Sequence, residues 1–133
     1  MKRGQAALEY LILVGVLLVL LITIFNYVFF HSSQNIKIEQ AEDSVQTLGK
    51  TADTIYTLGP GNRDFVYVNM PGSIKETRIE ENLIMIRLTL FGGDSDFYVY
   101  TNAQVNGTLP TEKGRYKIKL ETLDSGVVQI ERA

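Results

Sequence analysis

Residues 1–30 read MKRGQAALEYLILVGVLLVLLITIFNYVFF, and they set the architecture of the whole chain. Over Tyr10–Phe30 the only polar side chains are those of Thr23 and Asn26. A helix of about 20 apolar residues is long enough to cross the hydrocarbon core of a bilayer, which is about 30 Å thick. This stretch therefore predicts a membrane-spanning helix.

The residues around the apolar run give it an orientation. Lys2 and Arg3 precede it, and basic residues stay on the cytoplasmic side of a membrane, so the rest of the chain is predicted to lie outside the cell. A secretory signal peptide is one competing interpretation, but its apolar region is shorter and ends in small residues before the cleavage site. Here the run ends in YVFFHSSQ. A plain single-span anchor is the second alternative.

Glu9 stands at the start of the apolar run. A charged side chain within a bilayer costs a few kcal/mol, and such residues usually have a partner. One interpretation places Glu9 at headgroup level, close to the positive end of the helix dipole. In the other, Glu9 meets a cation once the helix packs among other helices. A new α-amino group at Gln5, four residues earlier, would be such a cation.

The segment RGQAALEYLILVG resembles the class III signal peptide of archaeal type IV pilins. That pattern has a basic stretch, a glycine and a glutamine, then a glutamate four residues on and an apolar residue four beyond that. The matching residues here are Gly4, Gln5, Glu9 and Leu13. The resemblance gives Glu9 and Leu13 a role in processing and assembly.

The resemblance also implies a cleavage site and a set of partners. A membrane-embedded prepilin peptidase would cut between Gly4 and Gln5, so that residues 1–4 are a leader peptide whose basic residues are Lys2 and Arg3. Residues 5–30 would then be a transmembrane helix that becomes the filament core. The partners would be other copies of the chain, the pilus assembly machinery and, before assembly, the membrane.

Residues 31–59 predict an amphipathic continuation of this helix. Ser32 and Ser33 are poor helix formers and mark a place where it can bend or break, and Gly-Pro-Gly at 59–61 ends it. One face carries apolar or small residues at steps of three and four: Ile38, Ala41, Val45, Leu48, Ala52 and Ile55. We expect this stripe to pack onto the head domain, with a dimeric coiled coil and a simple stalk as alternatives.

Residues 63–133 switch to a period of two, which is typical of strands. Six strands are predicted: Phe65–Met70, Ile74–Glu80, Leu83–Leu90, Phe97–Thr101, Arg115–Leu123 and Val127–Glu131. The second of them is charged and is expected at a sheet edge. The predicted fold is therefore α+β: a long N-terminal helix packed on a small antiparallel sheet or sandwich that forms an extracellular head.

Composition excludes several classes of function. The chain has no cysteine and one histidine, His31, so thiolate metal sites and nucleophiles served by a histidine base have no candidates. The 13 basic and 15 acidic side chains nearly balance, and no basic face stands out that would bind nucleic acid. We expect no catalytic residue, no cofactor and no metal site, and hence a structural protein that is not an enzyme.

Two short motifs in the head are each open to two interpretations. Asn106-Gly107-Thr108 is an N-glycosylation sequon, and Asn-Gly is equally a hairpin turn. Asp94-Ser95-Asp96 offers oxygen ligands of the kind that calcium prefers. It lacks the length and the other ligands of a calcium loop, so a turn with solvated charges is the expected structure.

The predicted function is that of a structural pilin subunit, which polymerises through its apolar helix into an archaeal type IV pilus for surface adhesion. The precursor would reside in the cell membrane and the mature chain in an extracellular filament. The alternative is a single-span membrane protein whose extracellular β domain acts as a binding protein or as a minor pilin-like subunit.

Overall fold

The computed structural model describes residues 2–133 and confirms the α+β architecture. It divides into two compact units, one ending at Asn35 and the other comprising Ile36–Ala133. The elements in chain order are α1 (Lys2–Leu58), β1 (Arg63–Met70), β2 (Ile74–Glu80), β3 (Leu83–Leu90), β4 (Gly93–Tyr100), β5 (Val105–Gly107), β6 (Gly114–Thr122) and β7 (Val128–Arg132). The helix continues through Ser32 and Ser33, the position at which the sequence allows a bend or a break.

The C-terminal part of α1 supplies one wall of the core of the second unit. Five of the six residues in the predicted stripe are buried, from Ala41 to Ile55, and Ile38 is half-buried. The stripe therefore packs on the head, as predicted. The helix ends at Leu58, and Gly59 follows with a φ of 100°, the left-handed conformation in which glycine commonly closes a helix.

The strands form two sheets. One has four strands in the order β1-β6-β7-β5, and the other has three in the order β2-β3-β4. Neighbouring strands are antiparallel with one exception, since β5 runs parallel to β7. The charged strand β2 lies at a sheet edge, as predicted. The inward faces of both sheets share one hydrophobic core with the helix stripe.

The helix contacts both sheets at their edges. Ser44 Oγ donates a hydrogen bond to the carbonyl of Asn69 in β1, at 3.1 Å. On the other side, a Cβ placed on Gly49 would lie 2.8 Å from Cγ1 of Val99 in β4. The close approach of Val99 therefore favours glycine at position 49, although glycine weakens the helix itself.

One local prediction was wrong, and one of two open alternatives did not occur. The strand β4 begins at Gly93 rather than Phe97, so the Asp-Ser-Asp motif is part of a strand and not of a turn. The Asn106-Gly107 pair lies in β5, a strand that the period-two pattern did not reveal, and it does not form a hairpin turn. Gly107 has a φ of 137°, and a Cβ there would lie 1.8 Å from the carbonyl oxygen of Ile130 in β7, so only glycine allows this strand pairing.

Candidate functional site

The residues of the predicted signal lie in the first turns of α1. Gly4, Gln5, Glu9 and Leu13 are all helical and exposed. Steps of four place Gln5, Glu9 and Leu13 along one face of the helix. Glu9 and Leu13 line the same shallow surface groove together with Ile12 and Val16. The structure therefore brings the predicted processing and assembly residues together on one side of the chain.

Glu9 has no charged partner of its own. None of the ion pairs among residues 2–133 includes its carboxylate. Around it the helix surface is apolar. An unpaired carboxylate in such a setting favours binding a cation, because the alternative is to leave the charge without a partner as water is withdrawn. Gln5 lies one helical turn before Glu9, on the same face of the helix.

Residues 8–30 of α1 carry a continuous apolar surface that is exposed among the residues the structure describes. Every large apolar side chain in the range 8–30 is exposed, from 38% for Val14 to 79% for Phe29. A helix that is apolar on all sides is stable only where lipid or other protein surrounds it. By length and composition this helix can span a membrane.

The side chains of the two polar residues in the apolar run donate hydrogen bonds to the backbone of the same helix. Thr23 Oγ1 donates to the carbonyl oxygen of Val19, and Asn26 Nδ2 donates to that of Ile22, each at 2.9 Å. Each bond to the preceding turn satisfies one side-chain donor within the helix. These bonds lower the cost of placing Thr23 and Asn26 in an apolar environment.

Comparison with known families decides what this segment is. Residues 2–27 match the class III signal peptide family. The matched range includes the glycine, glutamine, glutamate and leucine of the predicted signal and most of the apolar run. No curated protein and no solved structure matches the chain. The class III signal peptide and the exposed apolar helix fit a type IV pilin-like protein made as a membrane-anchored precursor, and such a signal implies processing by a prepilin peptidase.

The Asp-Ser-Asp motif is used for ion pairing within the three-stranded sheet. Lys75 Nζ lies 2.6 Å from Asp94 Oδ2, and Arg87 Nε lies 2.7 Å from Asp96 Oδ1. These hydrogen bonds from cations lower the pKa of both aspartates. Ser95 alternates to the opposite face, so the three side chains do not converge. Among residues 2–133 no group of three or more acidic or histidine side chains could hold a metal ion.

On the outward face of the three-stranded sheet, the cations are paired with carboxylates of the same sheet. Arg87 also pairs with Glu76, which in turn pairs with Arg78. Hydrogen bonding to Asp96 raises the pKa of Arg87. Each cation that this face presents, Lys75, Arg78 and Arg87, has a carboxylate of the same sheet as its partner. Exposed pairs of this kind contribute little to stability, but they leave few charges on this face for another molecule.

The outward face of the four-stranded sheet is different, and the sequence analysis missed it. The guanidinium of Arg115 lies 4.9 Å from the ring centre of Tyr67, and Lys117 Nζ lies 4.7 Å from that of Phe65. We call these four exposed residues the cation–aromatic face. Neither cation forms an ion pair within residues 2–133. Each cation–π contact contributes about 0.5–1 kcal/mol at such exposed positions.

A signal for this face was present in the sequence. Basic residues recur at every second position of the segment KGRYKIK, residues 113–119. In a strand, that spacing places them on one side of the sheet. The overall charge balance concealed the pattern, because residues 36–133 carry 11 basic and 14 acidic side chains. The expectation that no basic face stands out was therefore wrong for this part of the domain.

Proposed function

We propose that this protein is the structural subunit of an archaeal type IV pilus. The peptidase removes residues 1–4 by cutting between Gly4 and Gln5, and the mature chain polymerises through residues 5–30. The β domain then forms the outer surface of an extracellular filament that serves adhesion. The proposed role is structural rather than catalytic.

The observation that carries the proposal is the uncovered apolar helix that directly follows a class III signal peptide. The match over residues 2–27 supports processing, and the exposed side chains of the range 8–30 supply a surface for self-association. Moving this helix from lipid into a bundle of its own copies exchanges one apolar environment for another. The hydrophobic effect therefore gives little net drive, and packing contacts together with polar interactions must direct assembly.

Glu9 supplies one such polar interaction in the proposal. Cleavage before Gln5 creates an α-amino group one helical turn from the Glu9 carboxylate, and a neighbouring copy brings a second amine of the same kind. An ion pair in a dry helix bundle is much stronger than one in water, because the surroundings screen it weakly. A subunit out of register would leave this carboxylate buried without a partner, so the pair also selects the register.

Mass spectrometry of the protein recovered from cells tests the processing step. We expect an N-terminus at Gln5 and loss of the MKRG leader. A Gly4→Leu variant should remain unprocessed, because it places a large side chain directly beside the bond that is cut in this proposal. A mature protein that retains MKRG contradicts the proposed cleavage.

Electron microscopy of cells that do and do not produce the chain tests polymerisation. We expect filaments only in the producing cells, and a Glu9→Gln variant should show less processing and a lower filament yield. Glu9→Asp, which keeps the charge, serves as its matched control and should retain part of the filament yield. A chain that stays in the membrane fraction with an intact N-terminus supports the alternative, a membrane-anchored extracellular binding domain.

The proposed outward position of the β domain makes Asn106 a modification site. Asn106 is exposed and lies in β5, the edge strand of the four-stranded sheet, where a glycan can be accommodated without disturbing the core. Its Oδ1 accepts a hydrogen bond from the amide of Gly107 at 2.9 Å, so this bond uses the side-chain oxygen and not the nitrogen that a glycan would modify. We expect a glycan mass on the peptide with residues 105–113 that disappears in Asn106→Gln, and an unmodified peptide from the native cell contradicts this assignment.

A further inference from the structure

The cation–aromatic face presents charges that are held in place but have no partner. Arg115 and Lys117 lie over the rings of Tyr67 and Phe65, so their positions are partly fixed before any other molecule binds. A cation that is ordered in advance loses less conformational freedom when it meets an anion. The next cation along β6, Lys119, is different because it already pairs with Glu121 and Glu131.

Anionic side chains without partners lie on another surface of the same unit. Glu39 and Asp43 are exposed residues of α1, four positions apart, and they therefore lie on one face of the helix. Neither forms an ion pair within residues 2–133. Like charges at this spacing destabilise a helix, so a cationic partner would relieve a repulsion that the isolated chain retains. We call this pair the acidic helix face.

The two faces match in spacing as well as in charge. Residues two apart in an antiparallel strand are separated by about 7 Å, which is the step from Arg115 to Lys117. Residues four apart in a helix are separated by about 6 Å along its axis, which is the step from Glu39 to Asp43. Two ion pairs can therefore form at the same time between one strand and one helix.

We propose that the cation–aromatic face of one copy of this chain binds the acidic helix face of a second copy. The inference rests on the proposed function, because an open filament requires contacts between two different surfaces of identical subunits. The apolar helix provides the first contact between subunits. The pairing of Arg115 and Lys117 with Glu39 and Asp43 provides a second contact, between the β domain of one subunit and the helix of another, and it fixes their rotation.

Charge reversal followed by charge exchange tests this pairing in cells that make filaments. Arg115→Glu with Lys117→Glu should lower the amount of chain in sedimented filaments by at least about tenfold, because two attractive pairs become repulsive. Glu39→Lys with Asp43→Lys should lower it to a similar extent. Combining all four substitutions should restore the yield to within about threefold of the unaltered chain, since the pairs re-form with their charges exchanged.

A matched control removes the same number of charges from the other sheet. Arg115→Gln with Lys117→Gln should reduce the filament yield, whereas Lys75→Gln with Arg78→Gln should leave it within about twofold, because those cations are already paired in their own sheet. Near-UV circular dichroism of the detergent-solubilised chains checks that each variant is folded. The restored yield of the fourfold variant is itself proof of folding.

Zero-length carbodiimide cross-linking of intact filaments supplies a second, independent measurement. It joins a lysine amine to a carboxylate only where the two are in contact. We expect a cross-link from Lys117 to Asp43 or Glu39 that joins isotopically labelled to unlabelled subunits. Filaments that lack it, and whose yield does not change on charge reversal, overturn this inference while the proposed function stands.

The remaining outcomes are equally decisive. A fourfold variant as defective as either double variant overturns the pairing. The Arg115 and Lys117 variants could be retained less on an acidic polysaccharide or on single-stranded DNA while their filament yield is unchanged. That result assigns the cation–aromatic face to a polyanion in place of a second copy. Absence of filaments from the unaltered chain removes the proposed function and this inference with it.

Discussion

The two parts of α1 have the same secondary structure and opposite surroundings. In the range 8–30 the large apolar side chains are exposed all around the helix, whereas in the range 41–55 the apolar residues form one stripe that is buried against the sheets. The difference arises from how the apolar residues are distributed, since both parts are rich in them. A stripe can be covered by a single domain. A helix that is apolar all round is stable only where lipid or other protein surrounds it, and among residues 2–133 the large apolar side chains of the range 8–30 stay exposed.

Truncating one leucine in each part of the helix should give the largest difference in stability between the two parts. Leu48 is fully buried in the core, so Leu48→Ala should lower the free energy of unfolding of the β domain by about 2–5 kcal/mol. Leu17 is 53% exposed, and Leu17→Ala should leave that free energy unchanged. Urea unfolding in detergent, followed by the near-UV signal of the tyrosines, measures both. Equal losses would mean that the two parts of the helix share one core.

The two helical glycines offer the next test. A Cβ on Gly49 would lie 2.8 Å from Val99 Cγ1, whereas a Cβ on Gly15 meets no heavy atom within 4 Å. Gly49→Ala should therefore destabilise the domain by about 1 kcal/mol net, with overpacking exceeding the gain in helix propensity. Gly15→Ala should not change its unfolding midpoint.

A second substitution identifies the cause of the Gly49 effect. Val99→Ala removes the methyl groups that the new Cβ would meet, so the pair Gly49→Ala and Val99→Ala should lose less stability than the sum of the single variants. Strict additivity would show that crowding against Val99 is not the reason for the loss.

Removing the buried hydroxyl of Thr122 should have a smaller effect on stability, and one of opposite sign. Its Oγ1 is buried and has no hydrogen-bond partner among the residues that the structure describes. Thr122→Val keeps the shape and removes the unsatisfied group, so it should stabilise the β domain by about 1 kcal/mol. A lower unfolding midpoint would show that the hydroxyl is satisfied in solution.

The pH dependence of stability should be the smallest effect, and it should come from the β domain. Hydrogen bonds from Lys75 and Arg87 lower the pKa of Asp94 and Asp96 below the ordinary value of 3.8. Their contribution is therefore present above that value and is lost as the pH falls through the lower pKa of the folded state. Urea midpoints at pH 6 and pH 3 should differ less for Asp94→Asn with Asp96→Asn than for the unaltered chain. An unchanged difference would assign the acid sensitivity to other carboxylates.

Much of this structure follows from periodicity. The heptad-like stripe and the alternation of Leu83–Leu90 each repeat over enough residues to define a face, and both faces are buried as predicted. The three-residue strand β5 is too short for any period to be recognised, and its parallel pairing with β7 depends on residues more than 20 positions away. Gly92-Gly93-Asp94 has the composition of a turn, although most of it is held by pairing with β3.

In the candidate site, too, local features follow from the sequence and features built from distant residues do not. The signal at Gly4, Gln5, Glu9 and Leu13 is local, and the sequence reveals it because its spacing is contained in three turns of one helix. The cation–aromatic face is assembled from β1 and β6, which lie about 50 residues apart and are brought together by their register, in which Tyr67 pairs with Lys117. The alternating basic residues of β6 are visible in the sequence, but the rings that Arg115 and Lys117 contact belong to a different strand, and only the fold brings them together.

The position of β7 has a consequence for the order of events during synthesis. It is the seventh strand to be made, yet it lies between β6 and β5 and contributes two fully buried residues, Val128 and Ile130. The four-stranded sheet therefore cannot close while the ribosome is still adding earlier strands. Within residues 2–133 the apolar helix is synthesised before any of the strands, so it can reach a membrane before the β domain has a core. A chain held in this way folds its β domain beside the membrane, and β7 is the last of the described strands to join the sheet.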